Sequence, residues 1–245
     1  MKKTQSPISE QSLFFYKICL LSFIIVFVAV IFFFVGKIFV PVEKLEEAGA
    51  TPFQIQTVVI DAGHGGKDGG ASVGEVYEKN LNLEISHKVA QFLSLYNVNV
   101  VMTRSEDSLL AEDSSNNKKR DDLFNRVKIA KQYEDPVFVS IHMNKFPQEK
   151  YKGLQVFFSG NNPYSESLAL MIQSNVKEYL EDDNDRNVKR AGASIYVLDR
   201  LLCPSVLIEC GFLSNPDDLN KLQSEEYQNA LAFVIANSII EYINL

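Results

Sequence analysis

Along the chain, segments whose apolar residues have a pattern typical of strands alternate with segments whose apolar residues have a spacing typical of helices. Short β-branched or apolar runs, several of them bounded by Gly, Pro or Asn, predict six strands. They cover residues 55–61, 98–103, 137–141, 154–158, 195–198 and 206–209.

Between these runs, apolar residues recur three and four positions apart, which predicts helices. Asn80 is a candidate N-cap for the first of them. Residues 123–133 form a second predicted helix, and two more follow in the C-terminal half. The apolar positions of the first, third and last helices are Leu81, Ile85, Val89 and Phe92; Leu168, Ile172, Val176 and Tyr179; and Tyr227, Leu231, Val234, Ile235 and Tyr242.

Strands that alternate with helices predict an α/β fold. We expect a single domain over residues 55–245, with a largely parallel, mixed central sheet and helices on both faces. In such sheets ligands bind beyond the carboxyl ends of the strands. We therefore expect the ligand and catalytic residues at the carboxyl ends of the strands.

The N-terminal region differs from the rest in that residues 18–35 carry no charge. At about 1.5 Å per residue, a helix of this length approaches the roughly 30 Å of bilayer hydrocarbon. Lysines before the run favour a cytoplasmic N-terminus. We expect a cytoplasmic segment (1–17), a transmembrane signal-anchor (18–36) and a stalk (37–54), with the domain outside the membrane. A cleaved signal peptide is the alternative, although its only candidate cleavage motif, residues 48–50, lies well past the run.

Composition narrows the possible partners. The formal net charge is -7, which argues against nucleic acid, because phosphates need a basic surface. The three cysteines, Cys19, Cys203 and Cys210, show no CxxC spacing and are too few for a disulfide framework.

Two of the three histidines end predicted strands. His64 follows the first strand within a glycine-rich turn, and His142 follows the third. A single histidine at a strand end is more often structural, but two at one sheet edge suggest a metal site. Catalytic zinc takes three protein ligands and keeps one position for water. His87 is expected on a helix surface. Spacing leaves the third ligand open among Asp61, Glu75, Glu78, Glu84 and Glu209.

The chain contains the four blocks IDAGHGGKDGGA, EKNLNLEIS, SIHMN and IECGFLSN, in this order. Together they resemble the zinc-dependent N-acetylmuramoyl-L-alanine amidases of the type 3 amidase family, within a match over residues 56 to about 243. The resemblance implies one zinc ion held by His64, Glu78 and His142, with Glu209 as the catalytic carboxylate. It also offers Arg104, Arg126 and Asn144 as substrate-binding candidates, although both arginines could instead tie loops. Asp61 could accept a hydrogen bond from a ligand histidine or cap the turn.

The activity implied by the resemblance is hydrolysis of the amide between the lactyl group of N-acetylmuramic acid and L-alanine in peptidoglycan. The loop after Asp107 and the anchor are similar to those of germination-specific amidases of the spore cortex, which act in the muramic lactam pathway. Residues 143–152 are too short for the blocking helix found in some relatives, which leaves room for an extracytoplasmic activating or stabilising protein partner. Rival hypotheses are another zinc peptidase of the cell wall and a catalytically weak wall-binding protein.

Overall fold

The computed structural model describes residues 20, 22–28, 30, 56–112 and 114–245. The chain divides into two compact units, Met1–Gln54 and Ile55–Leu245. Most of the predicted membrane anchor, together with the stalk and Cys19, lies outside the described residues. Residues 20, 22–28 and 30 are helical, but no helix within the described part of the chain is long and apolar enough to cross a membrane.

The second unit is built on a six-stranded sheet with the order β4-β1-β5-β8-β6-β7, beside a two-stranded hairpin of β2 and β3. The strands are β1 (Thr57–Ala62), β2 (Ser72–Val73), β3 (Val76–Tyr77), β4 (Asn99–Met102), β5 (Val137–Asn144), β6 (Gln155–Phe158), β7 (Lys189–Arg190) and β8 (Ser205–Phe212).

Strand direction gathers three strand ends at one edge. Strands β4, β1, β5 and β8 are mutually parallel, so β1, β5 and β8 all end at the same edge of the sheet. Strand β6 runs antiparallel to β8, and β7 runs parallel to β6. The predicted α/β fold with a mixed, largely parallel sheet is confirmed.

Helices cover both faces of the sheet. Their bounds are α1 (Glu78–Leu93), α2 (Lys118–Ala130), α3 (Ser165–Tyr179), α4 (Tyr196–Arg200), α5 (Pro216–Gln223) and α6 (Glu225–Ile243). Alternate strand residues point to opposite faces. Val58, Val139 and Ile208 pack with α1, α3, α5 and α6, whereas Val59, Phe138 and Leu207 pack with α2 and α4.

The strand predicted over residues 195–198 is wrong, because this segment forms the short helix α4. A short apolar run does not reveal its own period, and here Val197 and Leu198 reach the core from one side of a helical turn. Helix α1 begins at Glu78 instead of after Asn80, with Tyr77 as a cap that makes no side-chain hydrogen bond. The hairpin, β7 and α5 were not predicted, since each is short.

Candidate metal and catalytic site

The loop after β1 holds His64 in an unusual backbone conformation. His64 has a φ of 60°, and Gly65 and Gly66 follow with φ values of 140° and 56°. A non-glycine residue in the left-handed region costs free energy and persists only where its surroundings hold it. The glycine-rich turn therefore aims the His64 imidazole back over the edge of the sheet.

Two glycines leave space that the site requires. A Cβ atom at Gly63 would lie 2.2 Å from His142 Nε2, and one at Gly70 would lie 2.5 Å from Glu78 Oε2. Both distances are shorter than real Cβ atoms show, so a side chain at either position would displace a neighbouring site residue. The glycines of the first sequence block thus allow the backbone to approach His142 and Glu78 closely.

His64, Glu78 and His142 converge on one point. One potential ligand atom from each lies within 4.8 Å of the others. Glu78 Oε1 is 3.3 Å from His64 Nε2 and 2.9 Å from His142 Nδ1. The two imidazole rings are edge to face, with centroids 5.0 Å apart. Two imidazole nitrogens and one carboxylate oxygen therefore face a common centre, as a metal cation would require.

Glu78 is fixed by the backbone around it. Its Oε2 accepts a hydrogen bond from the amide of Ala71 at 2.7 Å, and its Oε1 accepts one from the amide of Met143 at 3.2 Å. Of the other carboxylates that the spacing left open, Glu75 and Glu84 are exposed and lie outside the cluster. Within the described ranges, Glu78 is the only carboxylate in the cluster with both histidines.

Asp68 holds His64 by its other ring nitrogen. The distance between His64 Nδ1 and Asp68 Oδ2 is 2.8 Å, so Nε2 is left to face the cluster. Carboxylates that hold the second nitrogen of a ligand histidine fix its tautomer and orientation. The sequence reasoning missed Asp68 and considered Asp61 for this role. The only available signal was an aspartate four residues after His64, in the same glycine-rich turn.

Asp61 neither accepts a hydrogen bond from a ligand histidine nor caps the turn after β1. It is buried, and it accepts hydrogen bonds from the hydroxyls of Thr103 at 2.7 Å and Ser140 at 2.6 Å. It also forms an ion pair with Arg126 at 2.7 Å. These partners lower the pKa of Asp61 despite its burial, which acts in the opposite direction. Both roles that the sequence suggested for Asp61 are therefore wrong: its partners are Thr103, Ser140 and Arg126.

The two arginine candidates lie in the interior. Arg126 donates to the carbonyls of Ala62 and His64, each at 2.7 Å. Arg104 donates to the carbonyls of Ala62 at 2.8 Å and Gly63 at 2.9 Å. Both guanidinium groups therefore tie down the loop that carries His64, which is the alternative that the sequence left open.

Glu209 lies beside the cluster on the neighbouring strand. It is paired in register with His142, so the two side chains project from the same face of the sheet. The Oε2 atom of Glu209 is buried and has no hydrogen-bond partner among the described residues. Burial raises the pKa of Glu209 to about 7; the charge on Glu78 adds to the shift, and His142 and His64 oppose it. A carboxyl group that can take up and release a proton near neutral pH is suited to general acid–base catalysis.

The charges within the cluster are strongly coupled. Burial alone would lower the pKa of His64, but hydrogen bonds with Glu78 and Asp68 outweigh it and raise this pKa to about 9. Burial alone would raise the pKa of Glu78, but both histidines hold it far below its usual range. Without a metal, His64 therefore keeps its extra proton at neutral pH. Metal binding would release this proton, because ligand histidines bind as neutral imidazoles.

Asn144, His87 and the two described cysteines lie outside the cluster. Asn144 ends β5 and is half-buried at the edge of the sheet, close to His142. His87 is exposed, as expected, and one of its ring nitrogens lies 3.0 Å from the carbonyl of Ser105. Cys203 and Cys210 are both free thiols.

Fold and site together have the arrangement of a metal-dependent hydrolase: two histidines and a carboxylate converge at a sheet edge, beside a glutamate with one buried oxygen that has no hydrogen-bond partner among the described residues. The family model described as N-acetylmuramoyl-L-alanine amidase matches residues 58–241. The chain therefore belongs to the N-acetylmuramoyl-L-alanine amidase family. The family and the enzyme class that the sequence predicted are both confirmed.

Individual relatives agree with this assignment. The chain is 36% identical over 194 residues to the germination-specific N-acetylmuramoyl-L-alanine amidase of Bacillus subtilis, covering 78% of this chain and 81% of that protein. The solved CwlD amidase of Clostridioides difficile, in complex with the GerS lipoprotein, is 37% identical with a TM-score of 0.74, covering 77% of this chain and 98% of that one. AmiC2 of Nostoc punctiforme is 32% identical with a TM-score of 0.68, covering 78% and 98% of the two chains.

Proposed function

We propose that this protein uses one zinc ion, bound by His64, Glu78 and His142, to hydrolyse the amide between N-acetylmuramic acid and L-alanine. The observation that carries the proposal is the buried, unpaired Oε2 of Glu209, on the residue paired with His142. A buried carboxylate oxygen without a partner costs free energy. Such an atom is expected where a reacting group will sit.

The residues present fit a zinc ion. Three protein ligands of the two-histidine, one-carboxylate type are typical of catalytic zinc, and they leave one position for water. The ligand atoms already converge, and Asp68 supplies His64 with the kind of acceptor that orients a ligand histidine. Family membership supports zinc over other divalent cations that accept the same ligands.

A bound zinc ion would lower the pKa of a water molecule and polarise the scissile carbonyl. The protein's own contribution is to position and transfer the proton. Glu209 Oε2 would accept a proton from the attacking water and deliver it to the departing nitrogen of L-alanine. Its pKa of about 7 suits both steps. The loop held by Arg104 and Arg126 would keep His64 in place during the reaction.

We further propose that the protein acts in spore cortex maturation, through the muramic lactam pathway that prepares the spore for germination. The support is its similarity to the germination-specific amidase of Bacillus subtilis. Expression in a Bacillus subtilis strain that lacks that amidase tests this role. Restored muramic lactam in the cortex is the expected result, and a lactam-free cortex despite stable expression would contradict it.

Residues 18–36 are proposed to anchor the protein, with residues 1–17 in the cytoplasm, a stalk at 37–54 and the catalytic domain at 55–245 outside the membrane. The uncharged run supports this proposal. The full chain should then sediment with membranes, and its domain should be accessible to protease from outside. A soluble full chain would contradict the anchor.

An extracytoplasmic protein partner is also proposed, because a solved relative forms a complex with a lipoprotein. The measurement is peptide release with and without a candidate lipoprotein from the same organism. An increase in turnover supports the partnership, whereas equal turnover with a lipoprotein that binds would argue against activation.

The central experiment is mass analysis of muropeptides digested by the full-length, zinc-loaded protein, with and without a chelator. An amidase releases an intact peptide with L-alanine at its N-terminus. Another zinc peptidase would cut within the peptide, and a wall-binding protein would leave the muropeptide intact.

Variants assign the roles of the residues. Glu209→Gln should bind zinc but lose turnover, and His64→Ala should lose zinc. His87→Ala is the matched control, because His87 is exposed and outside the cluster; it should retain both properties. An active Glu209→Gln protein, or full zinc binding by His64→Ala, would disprove the corresponding assignment.

A further inference from the structure

A groove lies at strand β6, on the side of Glu209 away from His142. Its volume is about 290 Å³, and it is lined by Asn144, Phe146, Tyr151, Gln155, Phe157, Arg186, Lys189 and Phe212. We call it the β6 groove. This volume is near the lower end of the range for small-molecule pockets, which begins at about 300 Å³.

Strand register places the β6 groove next to the reacting groups. Glu209 pairs with His142 on one side and with Gln155 on the other. Paired residues project from the same face of a sheet. A continuous row therefore runs from the metal ligand His142 through Glu209 to Gln155, which lines the groove. A substrate whose amide lies at Glu209 would extend one end into this groove.

The chemistry of the lining is unusual for this chain. The protein has a net charge of -7. Among the described residues that line the β6 groove, none is acidic, whereas Arg186 and Lys189 are cationic. A larger cavity of about 550 Å³ shares Tyr151 and Arg186 but contains several aspartates. The larger cavity also contains lysines, at positions 150, 152 and 221, but they lie among its acidic residues. The cationic side chains of the β6 groove have no acidic neighbour in the lining, which favours an anionic ligand there.

The guanidinium group of Arg186 is held in place. It donates to the carbonyl of Lys152 at 2.7 Å and to the side chain of Gln155 at 3.1 Å. Its central carbon also lies 4.4 Å from the centre of the Phe212 ring. A fixed guanidinium group binds a carboxylate at lower entropic cost than a freely rotating side chain.

Lys189 is brought to the groove by β7. It pairs with Phe157 of β6, so the two side chains share the face that carries Glu209 and Gln155. Lys189 is exposed. It can therefore reach a ligand without first breaking a buried contact.

We propose that the β6 groove binds the peptide side of the substrate and that Arg186 and Lys189 recognise a carboxylate on the stem peptide beyond L-alanine. This inference rests on the proposed amidase function. Phe146, Tyr151 and Phe157 would pack against the peptide backbone and its apolar groups. The sugar side would then extend from Glu209 in the opposite direction, towards His64.

The test compares one muropeptide in two forms, with its stem carboxylates free or converted to amides. Binding is measured by calorimetry to the full-length, zinc-loaded Glu209→Gln protein, which should not consume the ligand. We expect the free-carboxylate form to bind about tenfold more tightly, consistent with a charge-assisted hydrogen bond. Lys189→Gln and Arg186→Gln in this background should each reduce the preference, and together they should abolish it.

Two further variants separate charge from structure. Arg186→Lys keeps the charge and should retain part of the preference. Lys128→Gln removes an exposed lysine from the last turn of α2, outside the groove, and should leave the preference unchanged. Equal affinity for the two muropeptides, or an undiminished preference in the double variant, would overturn the proposal. Peptide release by the protein with Glu209 intact is scored separately, so a failure of the amidase assignment is distinguishable from a failure of carboxylate recognition.

Discussion

Asp61 Oδ1 and Arg126 Nη1 form an ion pair 2.7 Å long in the interior, directly beneath the loop that carries His64. Both side chains are almost inaccessible to solvent. The same guanidinium group binds Asp122 at 2.7 Å. Removing one member of a buried pair leaves the other charge uncompensated, which is more costly than the net contribution of the pair.

Replacing Arg126 with Met should therefore destabilise the protein by about 3–5 kcal/mol. Asp61 would lose its cationic partner, and the carbonyls of Ala62 and His64 would lose a donor. The measurement is the free energy of unfolding in denaturant. Arg120→Met, on the exposed side of the same helix, is the control and should change stability by less than about 1 kcal/mol. Equal effects of the two substitutions would contradict the structural role of Arg126.

Gly63→Ala should weaken metal binding, because its Cβ would lie 2.2 Å from His142 Nε2. The imidazole or the loop must shift, which separates the ligand atoms. Zinc affinity measured by competition with a chelator should fall by at least about tenfold, comparable to disturbance of the residues that orient metal ligands. Gly192→Ala is the matched control: its nearest neighbour is 3.9 Å away, so zinc affinity should be retained.

Asp68→Asn should lower zinc affinity about 10- to 100-fold. The hydrogen bond to His64 Nδ1 orients the ring, and an amide is a weaker acceptor than a carboxylate. Asp182→Asn, at an exposed position far along the chain, should leave zinc affinity unchanged. If Asp68→Asn binds zinc as tightly as the parent protein, the histidine orientation does not depend on this contact.

Glu209 should make the metal-free protein sensitive to pH. Burial raises its folded-state pKa from 4.5 to about 7. Well below pH 4.5 the carboxyl is neutral in both folded and unfolded states, so it carries no penalty. As the pH rises towards 7, only the unfolded state ionises readily, and the folded state loses up to about 3 kcal/mol.

The measurement is the difference in unfolding free energy between Glu209→Gln and the parent, without metal, at pH 4.5 and pH 8. Glutamine cannot ionise, so the variant should gain stability relative to the parent as the pH rises. Glu178→Gln, at an exposed position, is the control and should show no such gain. A difference that does not change with pH would show that folding does not raise the pKa of Glu209.

The sheet was predictable because its central strands are nearly uniform apolar runs. Strands β1, β5 and β8 are buried along almost their whole length, and a parallel, two-sided environment produces that pattern. Residues 195–198 contain the same residue types but form a helix. The difference arises from tertiary packing, which a run of four residues cannot reveal.

The site was predictable in part. His64 and His142 follow from their positions at strand ends, whereas Glu78 and Glu209 depended on family resemblance. The Asp61–Arg126 pair was missed because its two members are far apart in the chain. Asp68 was missed because its contact with His64 depends on the conformation of a single loop. The positive φ of His64, which directs its ring towards Glu78, has no signature beyond the glycines around it.

The antiparallel direction of β6 affects how the site can change in evolution. Strand β5 ends at Asn144 and β6 begins at Gln155, and both lie at the edge where the reacting groups meet. The connection between them therefore remains on the rim and does not cross a face of the sheet. Surface connections accept insertions readily. A longer connection here would narrow or close the entrance without disturbing strand pairing, so access by a bulky polymer can be tuned independently of the catalytic groups.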